Sequence, residues 1–192
     1  MFKRQSQVYT LEEYLALEAQ AEYKSEYFQG EIFAMAGGSY NHNVIAGNLY
    51  AALHQFLAPK DYTAFTGDMR ILVKKRELYT YPDVLVVCGR PKFAPGRTDT
   101  LTNPMIIVEV LSKSTQAYDR GQKFEFYRSI DTFADYVLID QERVHIEYFH
   151  KFKDGRWVLT ELTTPDATLT LETIDFAIPL HQIYHKVDWF IH

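Results

Sequence analysis

Apolar residues follow two periods along this chain, and the switches between them outline the elements. Thr10 and Glu13 make a T-x-x-E capping pattern ahead of Tyr14, Leu15 and Leu17, which predicts a first helix from Leu11 to roughly Glu22. "SEYFQGEIFAM" carries two apolar runs around Gln29-Gly30 and predicts a hairpin. In "GGSYNHNVIAGNLYAALHQFL", the residues Val44, Ile45, Leu49, Ala52, Leu53 and Phe56 fall at helical spacing, and Pro59 closes this second helix. Strand patterns then accumulate in "YTAFT", "MRILV", "YPDVLVVC" and "MIIVEVLS". "STQAYDRGQKFEFYRSI" returns to a helical pattern, with Gly121 as its weak point. "ADYVLID", "RVHIEYFH" and "RWVLTEL" read as three more strands, the last two joined by a turn at Lys153-Asp154-Gly155. "TLTLETI" adds a short strand and "PLHQIYHKV" a short helix. The sum is a mixed α/β domain with its sheet in the middle.

With 192 residues, no internal repeat and no break in composition, the chain reads as a single domain over 1–192. The one cysteine, Cys88, excludes an internal disulfide framework and a cysteine-based zinc site. "MFKRQSQVYT" starts basic but lacks the apolar core of a signal peptide, and no 18-residue apolar run is present. A cytoplasmic protein with no membrane partner is the expectation. The formal net charge of -5 argues against a dedicated duplex binder, although "RILVKKR" and "RPKFAPGR" are local basic segments.

The chemistry concentrates in "PMIIVEVLSKST" (Pro104–Thr115). Side chains alternate along a strand, so Met105, Ile107, Glu109 and Leu111 share one face. An ionised Glu109 on so apolar a face costs several kcal/mol unless something compensates it, roughly the effective desolvation penalty of one buried ion. The strand candidate before it carries its own acid, Asp83, next to Pro82. If the two strands are neighbours, the carboxylates meet, and a hard divalent cation, Mg²⁺ or Mn²⁺, relieves their repulsion. The plainer alternative pairs Glu109 with an Arg or Lys and leaves Asp83 to cap a turn.

The ordered series "GDMRILV…YTYPDVLVVC…NPMIIVEVLSKST…YDRGQKFEFYRSI…ADYVLID", preceded by "EYFQGEIFAMAGGSYNHNVIAGNL", resembles the Uma-two family of restriction-endonuclease-like proteins in the PD-(D/E)XK nuclease superfamily, over roughly Leu11 to Val187. The resemblance implies the restriction-endonuclease-like fold and hydrolysis of phosphodiester bonds, with DNA the expected substrate. It also implies a Mg²⁺ or Mn²⁺ site at Asp83 and Glu109. The motif lysine, two positions after the acid, is replaced by Leu111. In the family a lysine on the following helix substitutes, and Lys123 stands at that place. Its alternative is an i,i+4 pair with Asp119 on an exposed helix face, and Lys113 is the competing lysine. An additional upstream acid is typical of the superfamily. Glu31 is the preferred candidate, with Glu26 and Asp68 as alternatives.

His42, in "SYNHNV", is placed to contact phosphate or act as an acid/base group, or simply belongs to an Asn-rich capping segment. His181 and His185 have i,i+4 spacing but no third ligand, so they read as surface histidines. Tyr127, one helical turn past Lys123, reads as core packing that steadies the lysine. Relatives of this fold act on duplexes as pairs, and the 14 Tyr and 13 Phe leave apolar surface to cover, so a homodimer is expected. The rival to the enzyme is a non-catalytic module of the same fold, serving self-association or partner binding. The aromatic "YHKVDWFIH" at the C-terminal end favours that rival.

Overall fold

The computed structural model describes residues 8–189. The basic start of the chain (residues 1–7) and the last three residues of "YHKVDWFIH" lie outside the described residues. The first helix, α1 (Leu11–Glu18), opens with the expected capping box: Thr10 Oγ1 accepts from the Glu13 N–H, and Glu13 Oε2 accepts from the Thr10 N–H. It stops a turn short of Glu22, because past Leu15, which packs beside the buried Tyr14, the apolar residues Ala16 and Leu17 are exposed.

Strands β1 (Ser25–Phe28) and β2 (Glu31–Ala34) form the hairpin. Its two-residue loop has positive φ at both Gln29 (47°) and Gly30 (90°), the backbone whose twist matches the flanking strands. Helix α2 (Tyr40–Leu57) follows, with Ser39 as N-cap and Ile45, Leu49, Leu53 and Leu57 on its buried stripe. Then come β3 (Tyr62–Thr66), β4 (Arg70–Val73), β5 (Leu78–Thr80), β6 (Val84–Cys88), β7 (Thr100–Leu101) and β8 (Ile106–Leu111).

The helical pattern after β8 resolves into α3 (Gln116–Tyr118), a π-turn (Asp119–Lys123) and α4 (Phe124–Tyr127). The remaining elements are β9 (Asp135–Asp140), β10 (Ile146–Lys151), β11 (Trp157–Leu162), β12 (Thr168–Leu171), β13 (Phe176–Pro179) and α5 (Leu180–Ile183). The β13 strand is one that the hydrophobic pattern did not predict.

The strands expected in the middle of the domain are distributed over three sheets. Six strands run in the order β11-β10-β9-β8-β6-β3, five in the order β2-β1-β5-β4-β7, and β12 pairs with β13. The segment "YTYPDVLVVC" therefore feeds two of them, ending β5 in one and starting β6 in another. The break falls at Tyr81-Pro82-Asp83, where Pro82 has no N–H to offer a ladder. One face of the six-stranded sheet packs on α2, α5 and the β12–β13 hairpin. The other, through Leu85, Ile107, Leu111 and Leu138, packs on the second sheet and on the helical segment 116–127. That segment crosses from the end of β8 to the start of its parallel neighbour β9, so its first turns return over the end of β8. No helix among the described residues is long and apolar enough to cross a membrane.

Candidate active site

Glu109 is the only charged residue in β8, and it is 4% exposed. It belongs to the face of Ile107 and Leu111, as strand alternation requires. Across the ladder, β6 pairs antiparallel with β8, with Val84 opposite Val108. One further step of that register sets Asp83 opposite Glu109 on the same face. Asp83 reaches over the strand end, where its Oδ2 accepts the Val110 N–H at 2.7 Å.

Glu109 faces a lysine. The π-turn buries both Asp119 and Lys123, and the Lys123 ammonium, in a side chain 5% exposed, lies 3.0 Å from Glu109 Oε1. It is also 3.2 Å from Glu26 Oε1 and 3.5 Å from Asp119 Oδ1. The i,i+4 pair of Asp119 and Lys123 does form, but inside the protein and not on an exposed face. Turns of this kind recur at functional sites in helices. The Tyr127 hydroxyl donates to Glu109 Oε1 at 2.8 Å, so this tyrosine holds the acid directly. Thr80 Oγ1 donates to Glu26 Oε1, and Tyr136 OH donates to the Asp119 carbonyl at 3.0 Å.

The preference for Glu31 over Glu26 as the inward acid is reversed by the geometry. Register pairs Phe28 with Glu31 and Glu26 with Phe33, so both glutamates share one sheet face. Glu26 lies on the inner strand beside Thr80 and beneath the helix. Glu31 lies on the edge strand next to the turn, exposed. Asp68 is exposed at a turn and bonded to Lys24. Lys113 is exposed and pairs with Glu142 at 3.3 Å. His181 and His185 are exposed.

His42 enters from the other side of the site. Its Nε2 lies 3.2 Å from Asp83 Oδ2. Ser39 caps its backbone N–H at 3.1 Å and donates its own hydroxyl to Gln141 Oε1, while Gln141 Nε2 donates to the Leu111 carbonyl at 3.0 Å. This chain of bonds ties the start of α2 to the end of β8 and so holds His42 over Asp83. Gly38 makes room for it: a Cβ there would stand 2.5 Å from His42 Nδ1. Tyr118 is a site residue without a strong sequence signal, its ring centroid 5.8 Å from the Lys123 ammonium.

The electrostatics follow from three carboxylates meeting one buried lysine, with Asp83 beside them. Burial first, with the charges of Asp119 and Asp83 adding, pushes the Glu109 carboxyl up to about 8 against the opposing pull of Lys123. Burial also raises Asp119. Lys123 is held well above the usual lysine range: burial works against its charge, but Glu109, Glu26 and Asp119 together outweigh it. Burial likewise works to lower His42, and the hydrogen bond and charge of Asp83, with the charge of Asp119, raise it above the ordinary histidine value.

Asp83 and Glu109 offer carboxylate oxygens, the donors that hard divalent cations take. The hydrogen bonds and ion pairs to Asp83 fall on Oδ2 and those to Glu109 on Oε1, so the second oxygen of each accepts none among the described residues. No three His, Cys, Asp or Glu side chains among the described residues are grouped to hold a metal by themselves. A Mg²⁺ or Mn²⁺ ion held here would thus have at most the two carboxylates of Asp83 and Glu109 from the protein, the number such ions accept when waters and substrate phosphate complete the shell.

A mixed sheet carrying two acids at the adjoining ends of neighbouring strands, with helices around it, is the architecture of restriction-endonuclease-like proteins. The fold agrees with a crystal structure from Anabaena variabilis described as "a putative nuclease belonging to DUF820", at a TM-score of 0.74 and 19% identity, covering 92% of this chain and 97% of that one. The chain belongs to the Uma2 family, described as "Putative restriction endonuclease", whose model matches residues 11–181. Two uncharacterized proteins of Synechocystis sp. are similar along most of their length. One, sll1609, is 42% identical over 85% of this chain and 93% of its own. The other, slr1290, is 39% identical over 90% of each.

Proposed function

We propose that this protein is a metal-dependent nuclease that hydrolyses phosphodiester bonds in DNA, acting as a homodimer in the cytoplasm. The observation that carries this reading is the meeting of Glu109, Glu26 and Asp119 on the buried Lys123 ammonium, beside Asp83 at the end of the neighbouring strand. Membership of the Uma2 family, described as "Putative restriction endonuclease", supports this reaction class.

In this reading Asp83 and Glu109 would hold the cation, which would supply Lewis-acid polarisation of a phosphoryl oxygen and a hydroxide accessible near neutral pH. Lys123 orients the attacking water and offsets charge developing on the phosphoryl group, at the position left vacant on the strand by Leu111. Glu26 and Asp119 keep that ammonium protonated and fixed in place. Tyr127 fixes the Glu109 rotamer through its hydrogen bond. His42 is within reach of Asp83, where a protonated imidazole can hold a phosphate oxygen.

The test is cleavage of plasmid and oligonucleotide substrates with Mg²⁺ or Mn²⁺, using Glu109→Ala and Asp83→Ala as references. Cleavage by wild type that both substitutions abolish is the expected result. An inactive wild type across a broad panel of nucleic acids would transfer the reading to a non-catalytic module of this fold. Light scattering tests the dimer: a monomer at high micromolar concentration would refute it.

A further inference from the structure

We infer that the substrate is presented to this site as an unpaired strand, with a base stacked on Phe33. The inference rests on the nuclease reading and deepens it. Register places Phe33 directly opposite Glu26 on the same face of the hairpin, one strand further out than the acid. Its ring is 47% exposed and packs in none of the three hydrophobic clusters. Single exposed apolar side chains are ordinary on protein surfaces. This one is set in line with a buried acid–lysine cluster, so a nucleotide whose phosphate lay at Asp83 and Glu109 would bring its neighbouring bases past the ring.

Tyr118 borders the same cluster from the helix side. Its ring centroid lies 5.8 Å from the Lys123 ammonium. One ring from the sheet thus stands opposite Glu26 and one from the helix beside Lys123. Aromatic faces beside a phosphate-binding groove are the equipment of single-strand recognition, since every base has a face to stack.

The experiment uses the full chain with Mg²⁺ and a DNA oligonucleotide carrying 2-aminopurine, offered single-stranded and as the matched duplex. Wild type, Phe33→Ala and Phe33→Trp are compared for affinity, aminopurine quenching and cleavage. Wild type is expected to bind and cut the single strand in preference to the duplex. Phe33→Ala should lose on the order of tenfold in single-strand affinity, and Phe33→Trp should restore it. The exposed ring makes both variants compatible with folding, and their melting temperatures check this. Phe33→Ala that cuts and binds the single strand like wild type, or a wild type that prefers duplex, overturns the inference and leaves the nuclease reading intact. Phe33-dependent quenching without any cleavage by wild type supports the stacking surface and removes the nuclease reading.

Discussion

Replacing Glu109 by Gln should make the metal-free protein less sensitive to alkaline pH and, above neutrality, more stable than wild type. The Glu109 carboxyl rises from 4.5 to about 8 on folding, chiefly through burial. Between those values the folded protein holds a proton that the unfolded chain has released, so stability falls as pH rises through the window. Relative to the fully ionised state, the contribution is fully present below 4.5 and gone above about 8. At pH 7 the difference amounts to about 3 kcal/mol against an unshifted glutamate, at 1.36 kcal/mol per unit. Glutamine has no proton to exchange, yet its amide oxygen can still accept from Tyr127 and Lys123.

Urea denaturation of both proteins in EDTA, from pH 5 to pH 8, measures the effect. The wild-type midpoint should decline with pH, and the Glu109→Gln midpoint should decline much less. Adding Mn²⁺ at about one hundred times its dissociation constant should then stabilise wild type by about 2.7 kcal/mol and leave the variant unmoved. Parallel pH profiles in EDTA would refute the claim that Glu109 carries the unfavourable charge. Equal stabilisation of both proteins by Mn²⁺ would refute its place in the metal site.

Lys123→Ala should lower phosphodiester cleavage by a factor on the order of 10² with little change in metal affinity, while Lys113→Ala stays close to wild type in the same plasmid assay. Glu26→Gln should reduce cleavage and Glu31→Gln should not, as steady-state rates on one oligonucleotide would show. Gly38→Ala should slow cleavage several-fold at unchanged melting temperature, because the new methyl displaces His42. Gly37→Ala, with nothing within 4 Å of the new methyl, is the silent control. Asp99 is held down to about 2, first by its hydrogen bond to Arg97, with burial opposing and Thr100 and Arg70 assisting. It therefore contributes stability above 3.8 that is lost as pH falls towards 2, and Asp99→Asn should flatten acid denaturation followed by circular dichroism across that range.

Elements with a sustained period were legible in the sequence. The α2 stripe of Ile45, Leu49 and Leu53 and the β8 alternation around Glu109 both appear where the pattern put them, and Leu57 extends the stripe by one turn. The division into separate sheets was not, because β5 and β6 are equally apolar and only three residues separate them. Nor was the choice between Glu26 and Glu31, since both project from one face. Position along the hairpin decides between them, and that depends on where the helix settles. The short β13 "FAIP" was hidden by its own Pro179 and by a turn with Asp175 at φ 53°.

The displaced lysine shows how the two kinds of information combine. Leu111, two positions after Glu109, is 3% exposed and packed in the core shared by the two larger sheets. A lysine there would have to bring its charge into that apolar cluster, at a cost of several kcal/mol if left unpaired. Lys123 takes its charge instead to three carboxylates and a tyrosine ring. The consequence is that acid and lysine no longer share one strand. Their 3.0 Å separation is set by how the segment 116–127 docks, through contacts such as Phe126 on Phe28 and Phe124 on Tyr136, with ring centroids 4.9 and 5.0 Å apart. Sequence spacing can nominate such a lysine, but the packing of the helix on the sheet is what delivers it to the acid.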